Sequence, residues 1–156
     1  MKDISREDVN DFFVDYAWFL DQQRYEEWLT LFEEKSNYRV IPRENQEAGL
    51  PACLIFCKGK DMLRDRITAL LDVNQYNIHT TRHIIGRSRI SSSATDGLVA
   101  ETPYAVIQTD QDGNSRLFSV GAYTTLLSVV AGKLCMLDQR VVVDNFSVPT
   151  LLAHPL

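Results

Sequence analysis

The groups able to bind metal or move protons are few: three histidines, three cysteines and a surplus of carboxylates. His79 and His83 stand four apart, the spacing of two metal ligands on one helix face. The run around them, Tyr76-Asn-Ile-His-Thr-Thr-Arg-His-Ile-Ile85, is β-branched and enters a strand. Even spacing still places both rings on one strand face. No further ligand cluster lies nearby and His154 is far along the chain, so a surface or hydrogen-bonded role is expected, not a metal site. Cys53 and Cys57 share a face of an apolar run at a distance unsuited to chelation or bridging, and read as core thiols. With Cys135 they make an odd, small set, which suits reduced thiols in the cytoplasm.

Nucleophilic catalysis has no signature: there is no Gly-x-Ser-x-Gly elbow, no cysteine in an electropositive turn and no glycine-rich phosphate loop. Acid–base chemistry inside a cavity has candidates in Tyr16, Asp72, His83, Asp138 and Arg140. Each has an ordinary alternative. Tyr16 lies in an aromatic helix stripe, and Arg140 is placed to neutralise Asp138 or Asp144.

The elements that position these groups follow from periodicity. Val9, Phe12, Phe13, Tyr16, Phe19 and Leu20 fit a helix with one aromatic face, and Ser5 with Asp8 forms a capping-box pattern. After a polar break at 21–24, Tyr25, Trp28, Leu29 and Phe32 predict a shorter second helix. So much aromatic surface on adjacent helices calls for a broad sheet to pack on. Residues 38–42 and 52–57 read as short strands around a polar loop at 43–51, and Leu63, Ile67, Leu70 and Leu71 mark a helix over 61–73. From residue 82 onward the pattern is β: 82–92, 98–109, 115–130 and 133–144. Thr95-Asp96-Gly97, Asp112-Gly113-Asn114 and Ala131-Gly132 supply the turns. Strands this long must curl, and Gly86 and Gly121 are the expected kink sites. The expectation is one α+β domain over residues 1–156, a strongly curved antiparallel sheet wrapped around N-terminal helices.

Composition agrees. The chain has 156 residues, 45% hydrophobic and 24% charged, the balance of a globular protein. No apolar stretch approaches the ~18–20 residues needed to span a bilayer. The N-terminus is acidic and lacks the apolar core of a secretion signal, so no leader is expected. Net charge is −5, unevenly spread: residues 1–34 hold ten acids and three bases, 35–91 five acids and ten bases, 92–156 six acids and three bases. The basic residues of the middle are scattered singly without interleaved aromatics, which argues against nucleic acid. A split of this kind suits complementary faces of an assembling protein.

The order of elements resembles the cone-shaped nuclear transport factor 2-like fold. Three stretches are similar to one family within it, the small (β) subunit of aromatic-ring-hydroxylating oxygenases. They are Tyr25-Glu-Glu-Trp-Leu-Thr-Leu-Phe32 running into Tyr38-Arg-Val-Ile-Pro-Arg-Glu-Asn45; Asp61-Met-Leu-Arg-Asp-Arg-Ile67 followed by Thr81-Arg-His-Ile-Ile-Gly86; and Leu137-Asp-Gln-Arg-Val-Val-Val-Asp144. Pro42-Arg-Glu-Asn-Gln-Glu-Ala-Gly-Leu-Pro51 with Met62-Leu-Arg-Asp-Arg66 resembles subunits serving oxygenases of carboxylated rings such as salicylate, anthranilate or terephthalate.

This resemblance implies a structural role: a trimer that holds large (α) subunits in an α3β3 hexamer, with a Rieske [2Fe-2S] cluster and a mononuclear Fe(II) in the α subunit. Histidine arithmetic agrees independently, since the two centres together need four histidines and the chain has three. No cofactor is expected on this chain. The isomerase relatives of the fold imply a base Asp before the proline of the first strand, where this chain has Ile41 before Pro42. Arg39, Arg43, Arg64, Arg66, Arg82, Arg87 and Arg89 are the candidate subunit-interface residues, because guanidinium pairs bidentately with carboxylates. The alternatives are a stand-alone cone-fold isomerase or dehydratase, and a small-molecule binding module.

Overall fold

The computed structural model describes residues 4–73, 78–92, 97–144 and 154–156. Helix α1 (Arg6–Asp21) opens with the capping box expected of Ser5 and Asp8, each side chain accepting from the other's backbone N–H. Its apolar stripe, Val9, Phe12, Phe13, Tyr16, Ala17 and Leu20, is buried. A tight turn with Gln23 at φ 55° leads to α2 (Tyr25–Leu29). Phe32, predicted as helical, instead starts strand β1 (Phe32–Pro42); its ring still packs on Trp28 at 4.7 Å. The predicted polar loop contains a short helix, α3 (Arg43–Glu47), with no buried residue. Such a helix carries no apolar period to read.

Strand β2 (Ile55–Lys58) precedes α4 (Lys60–Val73). The predicted strand at 82–92 is two, β3 (His79–Ile85) and β4 (Arg89–Ser92), both pairing with the next strand. The break falls at Gly86, where an added Cβ would lie 2.5 Å from Pro103 Cγ. Strands β5 (Leu98–Asp110), β6 (Ser115–Val130) and β7 (Lys133–Val143) form the expected antiparallel meander. The turn predicted at 95–97 lies largely outside the described residues. At the β6–β7 turn Ala131 and Gly132 have φ of 50° and 79°, as a two-residue hairpin requires.

The sheet runs β2-β1-β7-β6-β5-β3, with β4 beside β5. One pairing is not antiparallel: β1 lies parallel to β7, Tyr38 opposite Gln139 and Arg39 opposite Arg140. Alternation gives the sheet two faces. The inner face holds Tyr38, Val40, Ala100, Tyr104, Val106, Tyr123, Leu127, Met136 and Val141, packed on α1, α2 and α4 in one buried cluster. The outer face stays half exposed. No described helix is long and apolar enough to cross a membrane.

Candidate functional site

Two regions carry polar side chains that packing alone does not explain: the interior of the curved sheet and its outer face.

Aromatic rings wall the interior. Tyr104 and Tyr123 stack at 4.5 Å, Tyr16 meets Tyr123 at 5.3 Å and Trp28 at 5.7 Å, and Trp28 meets Tyr38 at 5.7 Å. Burial pushes the phenols of Tyr16, Tyr38, Tyr104 and Tyr123 above their ordinary range, so all four stay protonated. They bind through O–H and offer no base. Tyr104 shares a hydrogen bond with Ser119 at 2.9 Å. Residues 154–156 enter this space: the Tyr16 hydroxyl donates to the Leu156 carbonyl at 2.6 Å, and Tyr38 Oη accepts from the Leu156 N–H at 2.9 Å.

Where α1 ends against β3, Asp21 and His83 form a buried pair, with side chains 5% and 2% exposed. Oδ1 of Asp21 lies 2.6 Å from Nδ1 of His83, and the carboxylate also accepts from the His83 backbone N–H. Asp21 was not among the sequence candidates. It sits in what the sequence presents as a polar break, where nothing marks a carboxylate as buried.

The other acid–base candidates do not join this pair. Tyr16 is interior. Asp72 is exposed on α4. Asp138 and Arg140 lie on the outer face, 3.6 Å apart, which is the neutralising contact considered for Arg140. His79 and His83 do share the inward side of β3, but His83 is held by Asp21 and the His79 ring packs on His154 at 4.7 Å. Burial, then the neighbouring His79, lowers the His154 pKa to about 4. Among the described residues, no three or more His, Cys, Asp or Glu converge as a metal site would need. The described residues therefore offer no ligand set for an iron centre. All three cysteines are free thiols; Cys57 is buried in β2 and Cys53 precedes that strand.

On the outer face one cross-strand row reads Phe56, Arg39, Arg140, Thr124, Glu101, Arg89 across β2, β1, β7, β6, β5 and β4. Arg39 is central to it, donating to Asp138 at 2.9 Å with its guanidinium 5.4 Å from the Phe56 ring centre. The predicted arginines spread over several surfaces. Arg43 pairs with Asp144, Arg64 with Asp61 of its own helix, Arg82 with Asp21 at 3.9 Å and Arg87 with Glu7 at 3.1 Å. Arg66 is half buried on α4, and Arg89 is exposed on β4. Two of these pairs, Arg82–Asp21 and Arg87–Glu7, thus join the acidic N-terminal region to the basic middle within the chain, because β3 and the residues just after it lie against α1.

This architecture and its sequence match known proteins. The model of the ring-hydroxylating β-subunit family covers residues 16–150. The chain belongs to that family. It is 34% identical over 141 residues to the anthranilate 1,2-dioxygenase small subunit of Burkholderia cepacia, spanning 90% of this chain and 88% of the relative. It is 35% identical to a terminal-oxygenase β subunit of terephthalate 1,2-dioxygenase from Comamonas sp., covering 90% of this chain and 92% of that one. A crystal structure described as the β subunit of an aromatic-ring-hydroxylating dioxygenase from Novosphingobium aromaticivorans superposes with a TM-score of 0.87. That match has 36% identity and covers 97% of this chain and 96% of the other. The chain is thus a β subunit of the ring-hydroxylating dioxygenases, an oxidoreductase component, and its cone fold is the one the sequence resemblance implies.

Proposed function

We propose that this β subunit acts through geometry. Residues 1–156 form one cytoplasmic domain that trimerises and holds three α subunits in an α3β3 oxygenase. The supporting observation is the outer sheet face, a half-exposed surface crossed by the Arg39 row. Its arginines and intervening small side chains, such as Ala122 and Val142, suit a polar-rimmed interface. Arg39 and Arg89, with Arg43, Arg64, Arg66, Arg82 and Arg87 nearer the rims, are the residues proposed to meet partner carboxylates. Electron transfer between centres on neighbouring large subunits depends on their placement, which a symmetric platform maintains. The Rieske cluster and mononuclear Fe(II) of the α subunit would supply the oxygen chemistry; this chain's part is to position it.

The names of the two relatives favour a carboxylated aromatic ring as the substrate of the whole complex. Co-expression with an α subunit of a ring-hydroxylating dioxygenase from the same source, followed by native mass spectrometry, tests the reading. A 3:3 complex with ring-hydroxylating activity is expected, and a chain that stays alone would overturn it. A second reading, acid–base catalysis by the isolated chain, rests on the Asp21–His83 pair alone. Turnover of a cone-fold isomerase or dehydratase substrate by the chain without α would establish it.

A further inference from the structure

The two ends of the sheet carry surfaces of opposite charge. At the β3 end, α1 buries its aromatic stripe and turns its other side outward. Val14 and Trp18, one helical turn apart on that side, are 58% and 51% exposed. Asp11 and Asp15 stand one turn apart beside them and are also exposed. No side-chain ion pair or hydrogen bond engages either carboxylate among the described residues. The basic residues close to α1 are already taken, Arg82 by Asp21 and Arg87 by Glu7. The outward side of α1 is therefore both apolar and acidic.

At the β2 end the outer face is apolar and basic. Phe56 of β2 is 48% exposed, and Lys58, two residues on and so on the same face, is exposed as well. Arg39 of β1 and Arg140 of β7 share a single carboxylate, Asp138, at 2.9 and 3.6 Å. Three cations thus face one anion. Glu101, the acid of the same cross-strand row, lies two strands beyond β7, opposite Arg89. The two surfaces complement each other in charge, and both present the exposed aromatic side chains typical of interface centres. Their sizes agree. From Asp11 to Trp18 the helix is about 10 Å long, and β2, β1 and β7 together span about 10 Å. They cannot meet within one chain, because β2 and β3 close opposite ends of the sheet. Pairing like with like would bring four carboxylates, or the two sets of cations, together. A contact between different patches on identical chains is heterologous, and repeated by rotation it closes a ring.

We infer that the outward side of α1 docks on the outer face of β2, β1 and β7 of a second copy of this chain. Asp11 and Asp15 meet Lys58, Arg39 and Arg140, while Val14 and Trp18 cover Phe56. This contact rests on the assembly reading and deepens it, naming the surfaces through which the copies join and leaving the rest of the outer face to the large subunit.

Sedimentation equilibrium of the full chain, wild type and charge-reversed, tests the contact. Asp11→Lys with Asp15→Lys, or Lys58→Glu with Arg140→Glu, should each weaken the trimer at least about tenfold. A chain with all four substitutions should return to within about threefold of wild type, because both sides of the contact have exchanged sign. A trimer indifferent to either reversal, or a fourfold variant that circular dichroism shows folded yet stays dissociated, would overturn the inference and leave the assembly reading standing. Reversals that keep the trimer but release the large subunit from the co-expressed complex would place that subunit on these surfaces, and so would also overturn it. A monomeric wild-type chain would overturn it too; a 3:3 complex on co-expression would then preserve the assembly reading, and no complex would remove both. Should a reversal prevent folding, Asp11→Asn with Asp15→Asn removes the charge and keeps the shape, and Trp18→Ala removes the apolar anchor. Each should weaken the trimer by at least about threefold, and no change in both would overturn the inference.

Discussion

Asp21 holds His83 at two points, by the backbone N–H at 3.0 Å and by Nδ1 at 2.6 Å. The last residue of α1 is thereby fixed to the middle of β3, the strand at one end of the sheet. The bond to the backbone satisfies an N–H in a strand that has a neighbour on one side only. The aromatic helix consequently has one seating depth in the cone.

Breaking this pair should cost more than a surface contact. Asp21→Ala leaves a buried imidazole without its partner, and a loss of about 3 kcal/mol is expected. Asp21→Asn should cost less, because its amide oxygen still accepts one bond. Urea titrations of the three proteins measure both changes. An Asp21→Ala protein that unfolds at the wild-type midpoint would show that the pair adds nothing to stability.

Gly121 should tolerate no side chain. Its missing Cβ would lie 1.9 Å from the Val142 carbonyl oxygen, a backbone atom of the paired strand. Gly121→Ala must push β6 and β7 apart, and a loss of more than about 3 kcal/mol or an insoluble product is expected. Gly113 provides the contrast: it has φ +83° and open space around it, so Gly113→Ala should cost only about 1 kcal/mol of backbone strain. Thermal melts of both variants decide the matter.

His154 makes stability depend on pH in a defined direction. Its folded pKa of about 4 lies below the ordinary value of 6.5, so the unfolded chain takes up a proton first as the solution is acidified. The favourable contribution is complete above about pH 6.5 and declines as pH falls towards about 4. Because the ring is only partly buried, solvent screening reduces the size to about 1–2 kcal/mol. His154→Gln should flatten the slope of unfolding free energy between pH 7.5 and 5. A slope unchanged from wild type would locate the titration elsewhere.

Much of this architecture is legible in the chain because apolar periodicity speaks directly. The α1 stripe and the alternation of β5, β6 and β7 announce which faces are buried, and both hairpin turns among the described residues follow from their glycines. What periodicity misses is polar or non-local. Helix α3 has no buried residue, so nothing in its spacing differs from a loop. Phe32 fits the helical spacing of Tyr25 and Trp28, yet β1 claims it through its pairing with Met136, far along the chain. The parallel β1–β7 ladder has no local signal at all.

The same limit applies to the interior. His83 is readable as an inward strand residue, whereas its partner Asp21 is not, since a carboxylate at a helix end is ordinarily solvated. Gln139 was detectable: it occupies an inward position of β7 between Met136 and Val141, where the alternation calls for an apolar side chain. A polar residue in such a place marks a bond to be made, here with Thr125.

The parallel ladder also orders events during synthesis. Tyr38 and Gln139 are neighbours in space, but the ribosome releases the second long after the first. Until β7 emerges, β1 has only β2 beside it and the Arg39 row is cut in two. A nascent chain therefore completes the Arg39 row, the surface proposed above for assembly, only when nearly the whole polypeptide has been made.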